Sequence, residues 1–128
     1  MHRILFAHGD DKLSQIYVNH LKNYFLVDSV HDGLSALRRL KISMPSLVLS
    51  EFNLPILSGI AVLKFVRKTP DYSHIPFLFL SDHHDNSEAL SRGANDWIEI
   101  NSCQPDYLLD RIHHHIKTNK YGIQIHRA

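Results

Sequence analysis

The sequence predicts a doubly wound α/β domain, a parallel five-stranded sheet with a helix after each strand. Five short apolar runs, Arg3–Ala7, Phe25–Val30, Leu47–Ser50, Phe77–Leu80 and Asp96–Ile100, alternate with segments of helical periodicity. Most of these runs are continuous in Leu, Ile, Val and Phe, the pattern of strands covered on both faces. A chain of 128 residues is long enough to bury one such core without metals or disulfides.

After the first strand, Leu13, Ile16, Tyr17, Leu21 and Tyr24 recur at helical spacing, with Asp10 or Asp11 as the cap. A second helix is expected from about Gly33 to Lys41, with Leu34, Leu37 and Leu40 facing inward. A third follows Ser58 and carries Val62, Leu63 and Val66 on one face. The fourth is short: Asp85-x-x-Glu88 suggests a capping box before Ala89 and Leu90, and Gly93 ends it. The last begins at Pro105, suited to a first helical turn, and buries Leu108, Leu109, Ile112 and Ile116. Five βα units favour the flavodoxin-like strand order 2-1-3-4-5. Residues 1–118 form this domain, and residues 119–128 read as a tail or linker. Tyr121, Ile123 and Ile125 alternate with polar residues, so an edge strand is the other reading of the tail. An output domain could follow here in a longer chain.

Composition narrows the function. Hydrophobic residues make up 44% and charged residues 21%, ordinary for a soluble globular protein. A formal charge of +1 gives no reason to expect direct nucleic-acid binding. The lone Cys103 excludes an intramolecular disulfide and fits a reducing compartment. No apolar run approaches a membrane span and the start lacks a signal-peptide core, so the expected location is the cytoplasm. The eleven histidines are unusual and would make the chain positive in mild acid.

The segment Leu47-Val-Leu-Ser-Glu-Phe-Asn-Leu-Pro-Ile-Leu-Ser-Gly59 places one carboxylate, Glu51, at the carboxyl end of a buried strand, where open α/β sheets form ligand crevices. Three further motifs follow a shared order: Asp32-Gly33 with Ala36-Leu37, Ile75-Pro76 before Phe77–Ser81, and Gly93-Ala94-Asn95-Asp96-Trp97. Together they resemble the receiver domains of two-component response regulators, over about Arg3 to Ile116. The resemblance implies a phosphorelay signalling module, not an enzyme, whose acceptor aspartate is replaced here by Glu51. It also places His8 and Gly9 where the family keeps an acidic pair for magnesium, Ile100 at the lysine position and Asn101 at the following proline. Ser81 retains the hydroxyl, and the stretch between Ser81 and Gly93 is about three residues shorter than is usual in the family.

These departures imply a degenerate receiver that binds no magnesium and acts by protein contact. Phosphoryl transfer depends on metal and cationic groups that neutralise developing charge, and magnesium typically needs one or two carboxylates. The alternative is a rearranged phosphoacceptor using Glu51 or Asp10, with Asp10 recruiting a metal; helix capping is the plainer role for Asp10. Glu51 either imitates a charged acceptor permanently, with Ser81 as hydrogen-bond donor and His8 as its expected partner, or points to solvent. By resemblance, Trp97 occupies a switch position on the face of the fourth and fifth helices and fifth strand, where receivers meet partners or a second copy. Its plainer role is to cover the sheet edge.

The remaining motifs have bland readings. His113-His114-His115 fits a solvated face or partner surface better than a metal site, since only Asp110 and His114 have helical ligand spacing. His83-His84-Asp85 fits a solvated loop better than a zinc or nickel set. A flavodoxin-like ligand binder is disfavoured because His8-Gly9-Asp10-Asp11 is acidic and has one glycine, unsuited to cradling phosphate.

Overall fold

The computed structural model describes residues 1–82, 85–100 and 104–127, with backbone only from residue 120 onward. Five strands, β1 (Arg3–Ala7), β2 (Leu26–Val30), β3 (Leu47–Glu51), β4 (Phe77–Ser81) and β5 (Asp96–Glu99), pair in parallel in the order β2-β1-β3-β4-β5. They alternate with α1 (Lys12–Leu21), α2 (Gly33–Ser43), α3 (Gly59–Lys68), α4 (Ser87–Ser91) and α5 (Pro105–Arg127).

Successive strand residues point to opposite faces, so each central strand feeds two cores. Leu5, Val48, Phe77 and Phe79 meet Ala36, Leu40, Val62, Leu63 and Val66 of α2 and α3. Ile4, Phe6, Leu47, Leu49, Leu78 and Leu80 meet Tyr17, Val18 and Leu21 of α1 and Leu108, Leu109 and Ile112 of α5. Full burial of one large apolar side chain contributes about 1.5–3 kcal/mol. α3 inserts several of these, whereas α4 buries only Ala89, which makes α4 the helix least held by packing.

Local chemistry sets the helix starts. Asp11, Asp32 and Ser58 each accept a hydrogen bond from the backbone N–H three residues on, at Ser14, Ser35 and Ala61. The cap of α1 is therefore Asp11. The expected capping box at α4 does not form: Asn86 occupies the cap position, and Asp85 instead accepts from the Ser87 amide and hydroxyl. Gly93, with φ +102°, carries the chain out of α4 through left-handed backbone.

The inward assignment of Leu34 fails, and two of the residues that recur at helical spacing after β1 are not buried. Ile16 is 53% exposed, Tyr24 45% and Leu34 38%. The inner faces instead use Ser14, Tyr17, Val18 and Leu21 in α1 and Ala36 and Leu40 in α2. Large apolar residues at helical spacing are ambiguous when several adjacent stripes are plausible, and small Ser14 and Ala36 allow the closer approach to the sheet. α5 runs to Arg127, giving helical backbone where the alternation of Tyr121, Ile123 and Ile125 allowed a strand. Asn101, Cys103, His83 and His84 lie outside the described residues.

Candidate functional site

The carboxyl ends of the strands open onto a crevice of about 300 Å³ lined by Asp11, Glu51, Phe52, Asn53, Leu80, Ser81, Asp82 and Ile100. β3 delivers Glu51 and β4 delivers Ser81, which is 4% exposed. Ile100 follows β5 and lines the opposite wall, its carbonyl accepting from the buried Tyr17 hydroxyl at 3.1 Å.

Glu51 points back toward the start of α1. The Gly9 amide donates to its Oε2 at 3.1 Å, and the Ser14 hydroxyl lies 3.1 Å from its Oε1. That hydroxyl also lies 3.0 Å from Asp11 Oδ2, so its single proton bridges two carboxylates. Gly9, at an acidic-pair position of the resemblance, thus contributes a backbone donor. Asp11 rather than Asp10 stands in the crevice, while Asp10 is exposed.

His8 does not pair with Glu51, contrary to the sequence expectation. Its side chain turns under β1 and is fully buried. Nδ1 lies 2.6 Å from the Gly9 carbonyl and therefore carries a proton; Nε2 lies 3.0 Å from the Ser29 hydroxyl. The ring packs at a tilt against Phe6, with centroids 4.4 Å apart, and meets His31 edge-on at 5.0 Å. Burial pushes the His8 pKa below its ordinary value; the hydrogen bond to Gly9 opposes this without cancelling it.

The unfolded chain consequently protonates His8 more readily than the folded one. Stability is complete above the ordinary histidine value and declines as pH falls from about 6.5 through the lower folded value. His8→Gln keeps a donor and an acceptor but does not titrate. Its urea midpoint should fall less than that of the native protein between about pH 7 and about pH 5. Equal falls would contradict a neutral, buried His8.

Trp97 is half-buried, its ring 5.3 Å from Phe52 and 5.7 Å from Phe79. Phe52 follows Glu51 directly, so the aromatic chain links the crevice to β5. Asp96 fixes the strand on the other side: Oδ1 accepts from the Trp97 amide at 2.8 Å, and Oδ2 accepts from Arg111 Nε at 2.7 Å and lies 2.8 Å from His115 Nε2. Burial raises the Asp96 pKa, but hydrogen bonds from His115 and Arg111, with the Trp97 amide, outweigh it and hold the carboxyl below its ordinary value.

The histidine run thus divides. His115 joins Asp96, while His113 packs its ring 5.1 Å from Phe25. Among the described residues no three His, Cys, Asp or Glu side chains are placed to hold a metal ion. Sequence reasoning also missed Ser14, Asp11 as a lining residue, and Arg67. A polar residue on the buried face of an amphipathic helix was the available signal for Ser14; nothing local marked Arg67.

The family profile described as response regulator receiver domain matches residues 4–113. The chain belongs to that family. It is 31% identical over 77 residues to the phosphate regulon transcriptional regulatory protein PhoB of Rhizobium meliloti, a match covering 58% of this chain and 34% of that protein. The chain thus matches about a third of that regulator's length. Among solved structures, a signal receiver domain of a LuxO repressor protein from Vibrio parahaemolyticus superposes with TM-score 0.86 at 22% identity, covering 97% of this chain and 96% of that one. A response regulator from Chloroflexus aurantiacus gives 0.83 at 24% identity, covering 91% and 98%. No helix of the described residues is long and apolar enough to cross a membrane.

Proposed function

We propose that this domain is a two-component signalling module not operated by phosphorylation of residue 51, and that it acts through protein contacts. The observation that carries the reading is the engagement of Glu51 by the Gly9 amide and the Ser14 hydroxyl. These contacts turn the carboxylate toward the start of α1 and set it beside Asp11, whose negative charge opposes an incoming phosphoryl group. None of the described residues lining the crevice is cationic, while Asp11, Glu51 and Asp82 are all acidic. An incoming phosphoryl group meets like charge there, without the neutralising groups its transfer requires.

The residues present do not fit the family's magnesium. Gly9 brings no carboxylate and His8 is turned away into the core, so of the positions that hold magnesium in the family only Glu51 still offers a carboxylate. Magnesium demands near-octahedral oxygen geometry and gives up its waters reluctantly. The proposal includes no cofactor and no catalysis by this domain. Its contacts are assigned to the α4–β5–α5 face, where Leu90 of α4 is 44% exposed, Tyr107 of α5 is 53% exposed and Trp97 of β5 is half-buried. Exposed aromatics of this kind anchor interfaces. The partner is a protein or a second copy of the chain, with an output domain in a longer chain as a further recipient of the signal.

One observation favours a second reading, a phosphoacceptor with a rearranged site. Asp11 Oδ2 shares the Ser14 hydroxyl with Glu51, so two carboxylates converge in the crevice. Titrating the native domain with magnesium while following backbone amide resonances separates the readings. The amides of Gly9, Glu51 and Asp82 should show no saturable shift at millimolar magnesium. A saturating shift shared by all three would favour the rearranged site.

A further inference from the structure

A second cavity, of about 680 Å³, opens at the amino ends of the strands, at the opposite end of the sheet from the acidic crevice. Its apolar walls come from Met44 and Pro45 before β3, Ile75 before β4, and Ile116 of α5. The polar groups include His2, His74, His113 and Lys117, converging from the chain start, the α3–β4 connection and α5. Among the described residues lining it there is no carboxylate. Small-molecule sites combine this range of volume with mainly apolar walls and a few orienting polar groups.

We propose that this cavity binds an amphipathic carboxylate, with an apolar body against Met44, Ile75 and Ile116 and its anionic head at Lys117 and the histidines. The charge pattern selects the ligand class. An anionic head gains a counter-charge from the exposed Lys117 that a neutral apolar molecule does not use, and an amphipathic cation would bring its head against an ammonium. Metal is not the occupant: the three histidines do not form a group able to hold an ion. Three of the eleven histidines, His2, His74 and His113, come from distant parts of the sequence and line this one opening. A ligand there would touch both α5 and the loop leading to β4, and would leave the Glu51 crevice open.

Decanoate, 1-decanol and decyltrimethylammonium, each below its micelle concentration, are titrated into the full chain and followed by amide resonances. Decanoate should give saturable shifts at Met44, Ile75 and Ile116, with decanol weaker by up to about fivefold and the cation without effect there. Lys117→Glu, at an exposed position of α5, should weaken decanoate by about fivefold while leaving the far-ultraviolet circular dichroism unchanged. The proposal is overturned if decanoate shifts do not saturate, if decanol binds as tightly as decanoate, or if shifts scatter over the surface. Because the three probes are compared on the native chain, a misfolded variant would not obscure the answer.

Discussion

Gly33→Ala is expected to destabilise the domain by about 3 kcal/mol or more, at the top of the range for overpacking. Gly33 opens α2, and its amide donates to the Pro55 carbonyl at 3.4 Å. A Cβ at this position would lie 1.9 Å from the Leu57 carbonyl oxygen and 2.6 Å from its carbon. These are backbone atoms, so no side-chain rotation relieves the clash; α2 or the β3–α3 loop must move as a unit. That loop leads directly from Glu51 and includes Ile56, a β-branched residue at φ 69° that is already strained. For a domain of this size the loss corresponds to a fall in Tm of about 10 °C. Thermal denaturation followed by circular dichroism provides the measurement, and a fall below about 2 °C would mean the two segments are not in close contact.

Arg67→Met should cost about 2–4 kcal/mol, because one side chain satisfies four acceptors on two segments. Arg67 Nε donates to the Gly93 carbonyl at 2.9 Å, and one terminal nitrogen donates to the carbonyls of Ser73 at 3.2 Å and Ile75 at 2.8 Å. The other donates to Asn95 Oδ1 at 2.7 Å, and the same oxygen accepts from the Phe77 amide at 2.9 Å. The end of α3, the start of β4 and the approach to β5 are therefore tied at one guanidinium. Burial lowers its pKa from the ordinary arginine value without threatening its charge. Methionine retains much of the apolar stem while removing every donor. Urea denaturation should show the loss, and Trp97 fluorescence should shift as β5 loosens. A loss below about 0.5 kcal/mol would place these acceptors in water rather than in a shared network.

The strands were legible because burial on both faces writes itself as continuous apolar runs, and the observed starts of β1, β3, β4 and β5 coincide with them. Helices were legible where a large stripe had one solution, as with Val62, Leu63 and Val66 in α3, all buried. They were misread where small residues face the sheet: Ser14 and Ala36 displaced Ile16 and Leu34. The position of Glu51 at a strand end followed from the sequence, but its partners did not. Strand neighbours suggested His8; the pleat instead directs that side chain into the core, and the next residue presents its amide. Arg67 was invisible because its acceptors are mainly backbone carbonyls, which every residue carries.

Covalent modification tests the central claim most directly. The native domain is incubated with acetyl phosphate and magnesium, and its intact mass is measured alongside Glu51→Gln. The electrostatics of the crevice predict that the native chain remains unmodified. A stoichiometric, base-labile phosphoryl group on the native chain, absent from Glu51→Gln, would contradict the account.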